Sequence, residues 1–368
     1  MTDRQTDRQT DRQRNIGLDI CRIISMIGIV LLHVIGVGGV LISGKNQNSV
    51  NYWIAEWVFI CAECSVDIFA MMSGYFGINK KKVTIYRTVE LIVIAIFYSI
   101  IITLGFAVFS PGKFTGIKDF LKGIFPPLVG RYWYITCFIP VLIFQPFINK
   151  VLLFLTEKEH FALLLLEVLV FSCVPSVIPV DFFKVNNGYS FVWLLLLYTI
   201  GAYLSRTKTK PYYQYLKKYG IYVFIILSFV LLVGNIFIFK IIGYNIRYMV
   251  AYTSPVVLTM GLCVLIPLSD IKLNVGGKSF ESLSTTTFDV YLIHGHVLIY
   301  DWVLTGAFVW IKTLPWYFVP EVCVICAVSI FVICSFFGGI RVQVFRILGV
   351  KNFIAKISFK IDQLLYQW

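Results

Sequence analysis

One apolar stretch near the start of this 368-residue chain carries three ionisable side chains, Asp19, Arg22 and His33. Hydrocarbon tolerates such groups so poorly that each is read as paired or functional. His33 follows Arg22 by eleven positions. At about 100° per residue the two project from one helix face, roughly 16 Å apart along the axis. A second apolar stretch carries Glu56, Glu63 and Asp67 at i, i+7 and i+11, again on one face. Packed antiparallel to the first, it is expected to put Asp67 at the depth of Arg22 and Glu56 at that of His33. A carboxylate there would fix the His33 tautomer and raise its basicity. An imidazole so placed can take the proton from a poor nucleophile such as a hydroxyl. Arg22 reads either as a cation for a ligand or as the ion-pair partner of Asp19 or Asp67.

These groups need a scaffold that lies in hydrocarbon. Hydrophobic residues make up 58% of the chain, aromatic residues 17%, and the mean hydropathy is +0.82. That composition leaves too little polar surface for a water-soluble globule of this length. Apolar runs longer than about 18 residues recur along it, the signature of an all-α integral membrane protein rather than a β-barrel. About ten transmembrane helices are expected, over 17–42, 52–76, 86–109, 132–155, 161–180, 189–204, 219–239, 248–268, 288–311 and 317–338. Tyr52, Trp53, Tyr132, Trp133, Tyr189, Trp316 and Tyr317 stand at their ends, as interfacial aromatic residues do.

The net charge of +13 sits mostly in short segments between apolar runs, a pattern of membrane orientation and not of nucleic-acid binding. With the N-terminus inside, the inner segments hold 22 Lys and Arg and the outer ones nine. Both termini are therefore expected in the cytoplasm. Nine cysteines lie mostly inside apolar runs, including Cys61/Cys64 and Cys323/Cys326. Neither pair has the second converging pair of a zinc site, so they read as small apolar residues and no metal is expected.

Three parts are expected: a leader over 1–14, a membrane domain over 15–338 and a tail over 339–368. The leader repeats Thr-Asp-Arg-Gln three times from Thr2 to Gln13. With nothing apolar to bury, it should be disordered. It is also too polar for a cleavable signal. Its codons can form a repeated ACAG tetranucleotide, which would switch expression on and off by strand slippage; the other reading is a duplicated linker. The tail, from Arg341 to Trp368, mixes Arg346, Lys351, Lys356 and Lys360 with Phe345, Leu348, Ile354, Ile357 and Leu364, as a basic amphipathic segment on the inner leaflet would.

Four motifs in order resemble acyltransferase family 3, integral membrane proteins that O-acylate bacterial surface polysaccharide, lipopolysaccharide and related glycans. Leu18-Asp19-Ile20-Cys21-Arg22 followed by His33 is similar to the family's Arg-x10-His. The segment from Asp67 to Phe76, with Ser73-Gly74-Tyr75, resembles its Phe-Phe-x-x-Ser-Gly-Tyr/Phe. Arg131-Tyr132-Trp133-Tyr134-Ile135, with Pro140 and Pro146, is similar to its Trp-Tyr-Leu segment, and Tyr291-Leu292-Ile293-His294 to its Tyr-Leu-x-His. Ala70 departs from the second aromatic, Arg87 alone stands for an Arg-x-x-Pro, and Gly295-His296 follows His294. These departures bear on subfamily and acceptor.

The resemblance implies cytosolic acetyl-CoA as donor, a glycan hydroxyl as acceptor and the bacterial inner membrane as location. His33 is then the candidate base, acting on the sugar directly or through an acyl-enzyme. Arg22 would hold the acyl-CoA or stabilise the thioester oxyanion. Lys80, Lys81, Lys82 and Arg87 would meet CoA phosphates, or serve only as orientation signals. Ser73 is a candidate acyl carrier, and Gly74 is expected to end the second helix. Trp133 and Tyr134 read as interfacial anchors or groove walls. Tyr291 and His294 are carried by the motif match. His296 reads as structural, and His160 as a loop residue without a role. A glycan transporter or flippase also needs intramembrane Arg, His and acids, although no internal repeat of the transporter kind is evident. A membrane-bound sensor or assembly partner is a third reading.

Overall fold

The computed structural model of the chain describes residues 15–41, 47–83, 85–110, 130–178, 180–271 and 277–366, with 112 and 126 besides. The repeat leader lies outside the described residues. Among those described the secondary structure is helical and no strand occurs.

Asn15 starts α1 (Ile16–Ile35): its side chain accepts from the Leu18 N–H at 3.2 Å and its amide donates to the Ser269 carbonyl at 2.6 Å. The helix stops seven residues short of the expected 42, where the Gly36 N–H closes on Leu32 and Gly39 takes a φ of 88° that favours glycine. His33 therefore lies in the last turn. The expected helix 52–76 is two, α2 (Val50–Glu63) and α3 (Ser65–Gly77), meeting at Cys64.

Farther along run α4 (Ile85–Phe109), α5 (Trp133–Phe154) and α6 (Glu157–Val168). A capping box of Thr156 and Glu159 opens α6, and a π turn, Leu169–Cys173, carries it on to Val174–Val177. Next come α7 (Phe191–Arg206), α8 (Pro211–Ile242) and α9 (Pro255–Ser269). Pro211 in its first turn lets α8 begin well before the expected 219. The chain continues in α10 (Gly277–Thr285) and α11 (Thr287–His294). It ends in α12 (Val319–Ile347) and α13 (Val350–Tyr366).

Among the described residues six helices are long and apolar enough to cross a membrane, and a seventh if Ser279–His294 and Val297–Thr313, bent by 63°, form one span. The expected ten exceed this for physical reasons. The second apolar segment is divided at Cys64. At 16 and 15 residues, α7 and α9 reach only about 24 Å against a hydrocarbon core of about 30 Å.

The tightest crossing joins α3 to α7. A Cβ on Gly74 would lie 1.9 Å from the Tyr198 carbonyl oxygen, and one on Gly201 would lie 1.9 Å from that of Met71. Gly74 thus brings two backbones together, the usual task of small residues between membrane helices. It does not end the helix, which continues to Gly77. Gly201→Leu should force these helices apart and destabilise the fold by roughly 1–3 kcal/mol or more. Thermal unfolding in detergent would read that loss, and an unchanged midpoint would contradict the crossing.

At the other end of the chain, α12 passes Gly338, the expected limit of the membrane domain, and runs on to Ile347. Arg341 is consequently part of the bundle. The following helix, α13, buries Ile354 and Ser358, packs on α4 and exposes Phe353, Phe359 and Leu364 beside Lys351, Lys356 and Lys360.

Candidate active site

A cavity of about 260 Å³ opens beside the last turn of α1, walled among others by His33, Arg131, Trp133, Tyr134, Tyr291 and Tyr300. Two hydrogen bonds hold the start of α5 to α11 and shape this wall. The Tyr132 hydroxyl donates to the Leu292 carbonyl at 2.9 Å, and the Tyr134 N–H donates to the Tyr291 hydroxyl at 3.3 Å.

His294 lies beside His33, their ring centroids 5.0 Å apart, and Tyr300 meets His33 edge-on at 5.3 Å. The His294 Nδ1 is 2.5 Å from the Val290 carbonyl oxygen. His294 Nε2 and His33 Nδ1 are both buried and have no hydrogen-bond partner among the described residues. Because α11 stops at His294, the expected helix 288–311 is interrupted at this point. After Gly295, the His296 side chain caps the turn Val297–Ile299 by accepting from the Leu298 N–H at 3.2 Å.

None of the three acids on the second apolar stretch is among the residues walling the cavity. Glu56, fully buried, bonds Arg247 at 3.2 Å and is not the partner of His33. Arg247 comes from the connection after α8, lies over the Phe59 ring and competes successfully for the carboxylate. Asp67 accepts from the Trp193 indole N–H at 3.0 Å and does not reach Arg22. Glu63 is buried near these two. The expected depth matching assumed one unbroken helix. The interruption at Cys64 and partners from distant segments replace it. His33 thus has a second imidazole, and not a carboxylate, for its neighbour.

At the opposite end of α1, Arg22 bonds Asp19 at 3.2 Å, and Asp19 also accepts from the Ser284 hydroxyl at 2.7 Å. The guanidinium lies 5.7 Å from the Phe76 ring centre. Arg22 does not wall the cavity that holds His33. Lys80 is half-buried, and its carbonyl accepts from the Asn149 amide at 2.9 Å. Burial and the nearby Arg87 hold the Lys80 ammonium below its ordinary pKa. Lys81, Lys82 and Arg87 are exposed. Ser73 donates to the Ala70 carbonyl at 2.5 Å within α3 and is not in the cavity wall. His160 is no loop residue: in the first turn of α6, its ring nitrogens meet the Thr199 carbonyl at 3.3 Å and Arg206 at 3.2 Å.

Three features escaped the sequence reading. Arg131, quoted there at the head of the Trp-Tyr-Leu-like segment but given no role, contacts the buried Thr103 and Ser99 hydroxyls at 3.2 and 3.5 Å and faces the cavity. Its position beside Trp133 was the available signal. Asp289, fully buried, takes two bonds from Arg341, at 2.8 and 2.7 Å, and one from the Tyr98 hydroxyl at 2.7 Å. An acid five residues before His294 inside an apolar run could have been noticed. His33 and His294, separated widely in sequence, are placed together by the packing of α1 on α11.

A helical bundle with several helices long and apolar enough to span a membrane, and a histidine pair beside an aromatic cavity, points to a multi-pass membrane protein. A sequence model described as an acyltransferase domain, that of acyltransferase family 3, matches residues 15–359. The chain belongs to this family and is a membrane acyltransferase. No curated protein and no solved structure matches it.

Proposed function

We propose that the protein is an O-acetyltransferase of the bacterial inner membrane that moves an acetyl group from cytosolic acetyl-CoA to a hydroxyl of a cell-surface glycan, such as lipopolysaccharide or capsule. The observation that carries this reading is His33 in the cavity wall with His294 beside it. The His294 Nδ1–H donates to Val290, which leaves its Nε2 as a bare acceptor inside the protein. Donation from the His33 Nδ1–H would satisfy both buried nitrogens. The His33 Nε2 lone pair then serves as base.

In the reaction this nitrogen takes the acceptor hydroxyl proton as the oxygen attacks the thioester carbonyl. The new C–O bond forms, the C–S bond breaks, and the CoA thiolate leaves with the proton that His33 returns. Arg22, with Lys80, Lys81, Lys82 and Arg87, holds the phosphates of CoA from the other end of α1. The roughly 16 Å between Arg22 and His33 along the helix is a separation that the extended pantetheine arm can bridge. Comparing the O-acetyl content of the surface glycan with and without the gene tests this function directly: loss of O-acetyl groups is expected, and unchanged content would refute it.

The proposed topology has ten apolar segments within the membrane and both termini in the cytoplasm. Ser284 meets Asp19 near the start of α1, while Asp289, one and a half turns on, meets Arg341 near the end of α12. The start of α1 and the end of α12 are thus at one end of the bundle, and the 22-to-nine charge asymmetry favours the cytoplasm for that end. Reporter fusions after Asn15 and Trp368 should both read inside. A periplasmic signal from either would overturn the arrangement.

A further inference from the structure

Tyr300 stands in the cavity wall, half-buried, with its ring centroid 5.3 Å from that of His33 and its plane at 89° to it. Among the described residues no other aromatic residue of that wall is in ring contact with His33. The Tyr300 carbonyl accepts from Thr305, while its hydroxyl has no hydrogen-bond partner among the described residues. Other polar groups of the wall are engaged or closed off. Arg131 is turned to Ser99 and Thr103, and the Tyr134 hydroxyl is sealed inside the protein. Arg22 does not wall the cavity. We infer that Tyr300 is a catalytic residue whose O–H donates to the thioester carbonyl oxygen as negative charge gathers there.

The inference rests on the acetyltransferase reading and supplies the oxyanion donor that Arg22, at the opposite end of α1, does not. As the acceptor oxygen bonds to the carbonyl carbon and His33 takes its proton, the C=O electron pair moves onto oxygen, where the Tyr300 hydrogen bond holds it. The pair then re-forms the C=O, the C–S bond breaks, and the thiolate leaves with the proton from His33. Tyr300 keeps its own proton throughout. The backbone fixes this hydroxyl in advance, as stabilisation of a developing charge requires. The Tyr300 N–H donates to the His296 carbonyl at 2.8 Å, and Tyr300 opens a π turn running to Leu304, an irregularity frequent at functional sites. Past that turn the N–H groups of Gly306 and Phe308 donate to the Val37 and Gly38 carbonyls at 3.0 and 2.9 Å. A Cβ on Gly38 would lie 2.6 Å from the Phe308 ring, so only glycine admits this approach. The segment carrying Tyr300 is thereby fastened to the residues that follow His33.

The test uses the purified full-length protein, acetyl-CoA and the unacetylated glycan extracted from cells that lack the gene. Tyr300→Phe keeps the ring and removes the hydroxyl. Its kcat should fall roughly 10²- to 10³-fold, the usual loss for one oxyanion donor. The KM for acetyl-CoA should change little, because the bond is made only in the transition state. The rates are then repeated with dithioacetyl-CoA, in which sulfur, a weak acceptor, replaces the carbonyl oxygen. With that donor the loss caused by Tyr300→Phe should shrink to within a few-fold of unity. Each protein is compared with itself across two donors, so a difference in folded fraction cancels from the ratio. Wild-type rates in Tyr300→Phe, or an equally large loss with both donors, would overturn the role of Tyr300 while leaving the acetyltransferase intact. A wild-type protein that transfers no acetyl group would refute the acetyltransferase reading and this inference with it.

Discussion

His33→Ala is expected to lower acetyl transfer about 10²- to 10⁴-fold, the loss typical of a positioned general base. The protein should still insert and bind acetyl-CoA, because Arg22 and the basic cluster are at the other end of α1. Arg22→Ala should fail differently, raising the KM for acetyl-CoA as well as lowering the rate. Arg22→Lys should restore charge without full activity if the guanidinium grips the donor with two bonds. Initial rates over a range of acetyl-CoA concentrations separate these behaviours. Near-normal transfer by well-folded His33→Ala protein would remove that imidazole from the mechanism. His294 would then be the first alternative, ahead of Glu63 and Asp67, which do not wall the cavity.

Arg341→Ala should produce the largest loss of stability. It would leave Asp289 fully buried with only the Tyr98 hydroxyl to bond it. Removing one partner of a buried ion pair typically destabilises by about 3–5 kcal/mol. Replacing both, Asp289→Leu with Arg341→Met, should be milder because no buried charge is orphaned. The pair also anchors α11, the helix that presents His294, so activity should fall with stability. Unfolding midpoints in detergent and protein levels in the membrane would report the difference. An Arg341→Ala protein as stable as the wild type would contradict the role assigned to the pair.

What could be read before folding was mostly local. The helical period alone put Arg22 and His33 on one face, and the length of the apolar runs alone pointed to a helical membrane protein. The Tyr-Leu-x-His match picked out His294, but only packing brings it within 5.0 Å of His33. The carboxylates show why the rest was hidden. Glu56 and Asp67 are paired with Arg247 and Trp193, from segments far along the chain, and no local spacing predicts such partners. Charge counting treats Arg and Lys between helices as solvent-facing, so it passed over Arg131 and Arg341, both of which serve the interior. Gly74 was misread for a related reason: helix termination and close helix crossing use the same residue, and only the neighbour Tyr198 tells them apart.

The most direct measurement reconstitutes the purified protein in liposomes with ¹⁴C-acetyl-CoA on one side and the unacetylated surface glycan on the other. Acyl transfer predicts that label appears on the glycan as a base-labile ester, that free CoA accumulates in equal amount on the donor side, and that both signals are lost with His33→Ala. Movement of glycan across the bilayer with no ester formed and no CoA released would contradict acyl transfer and identify a transporter.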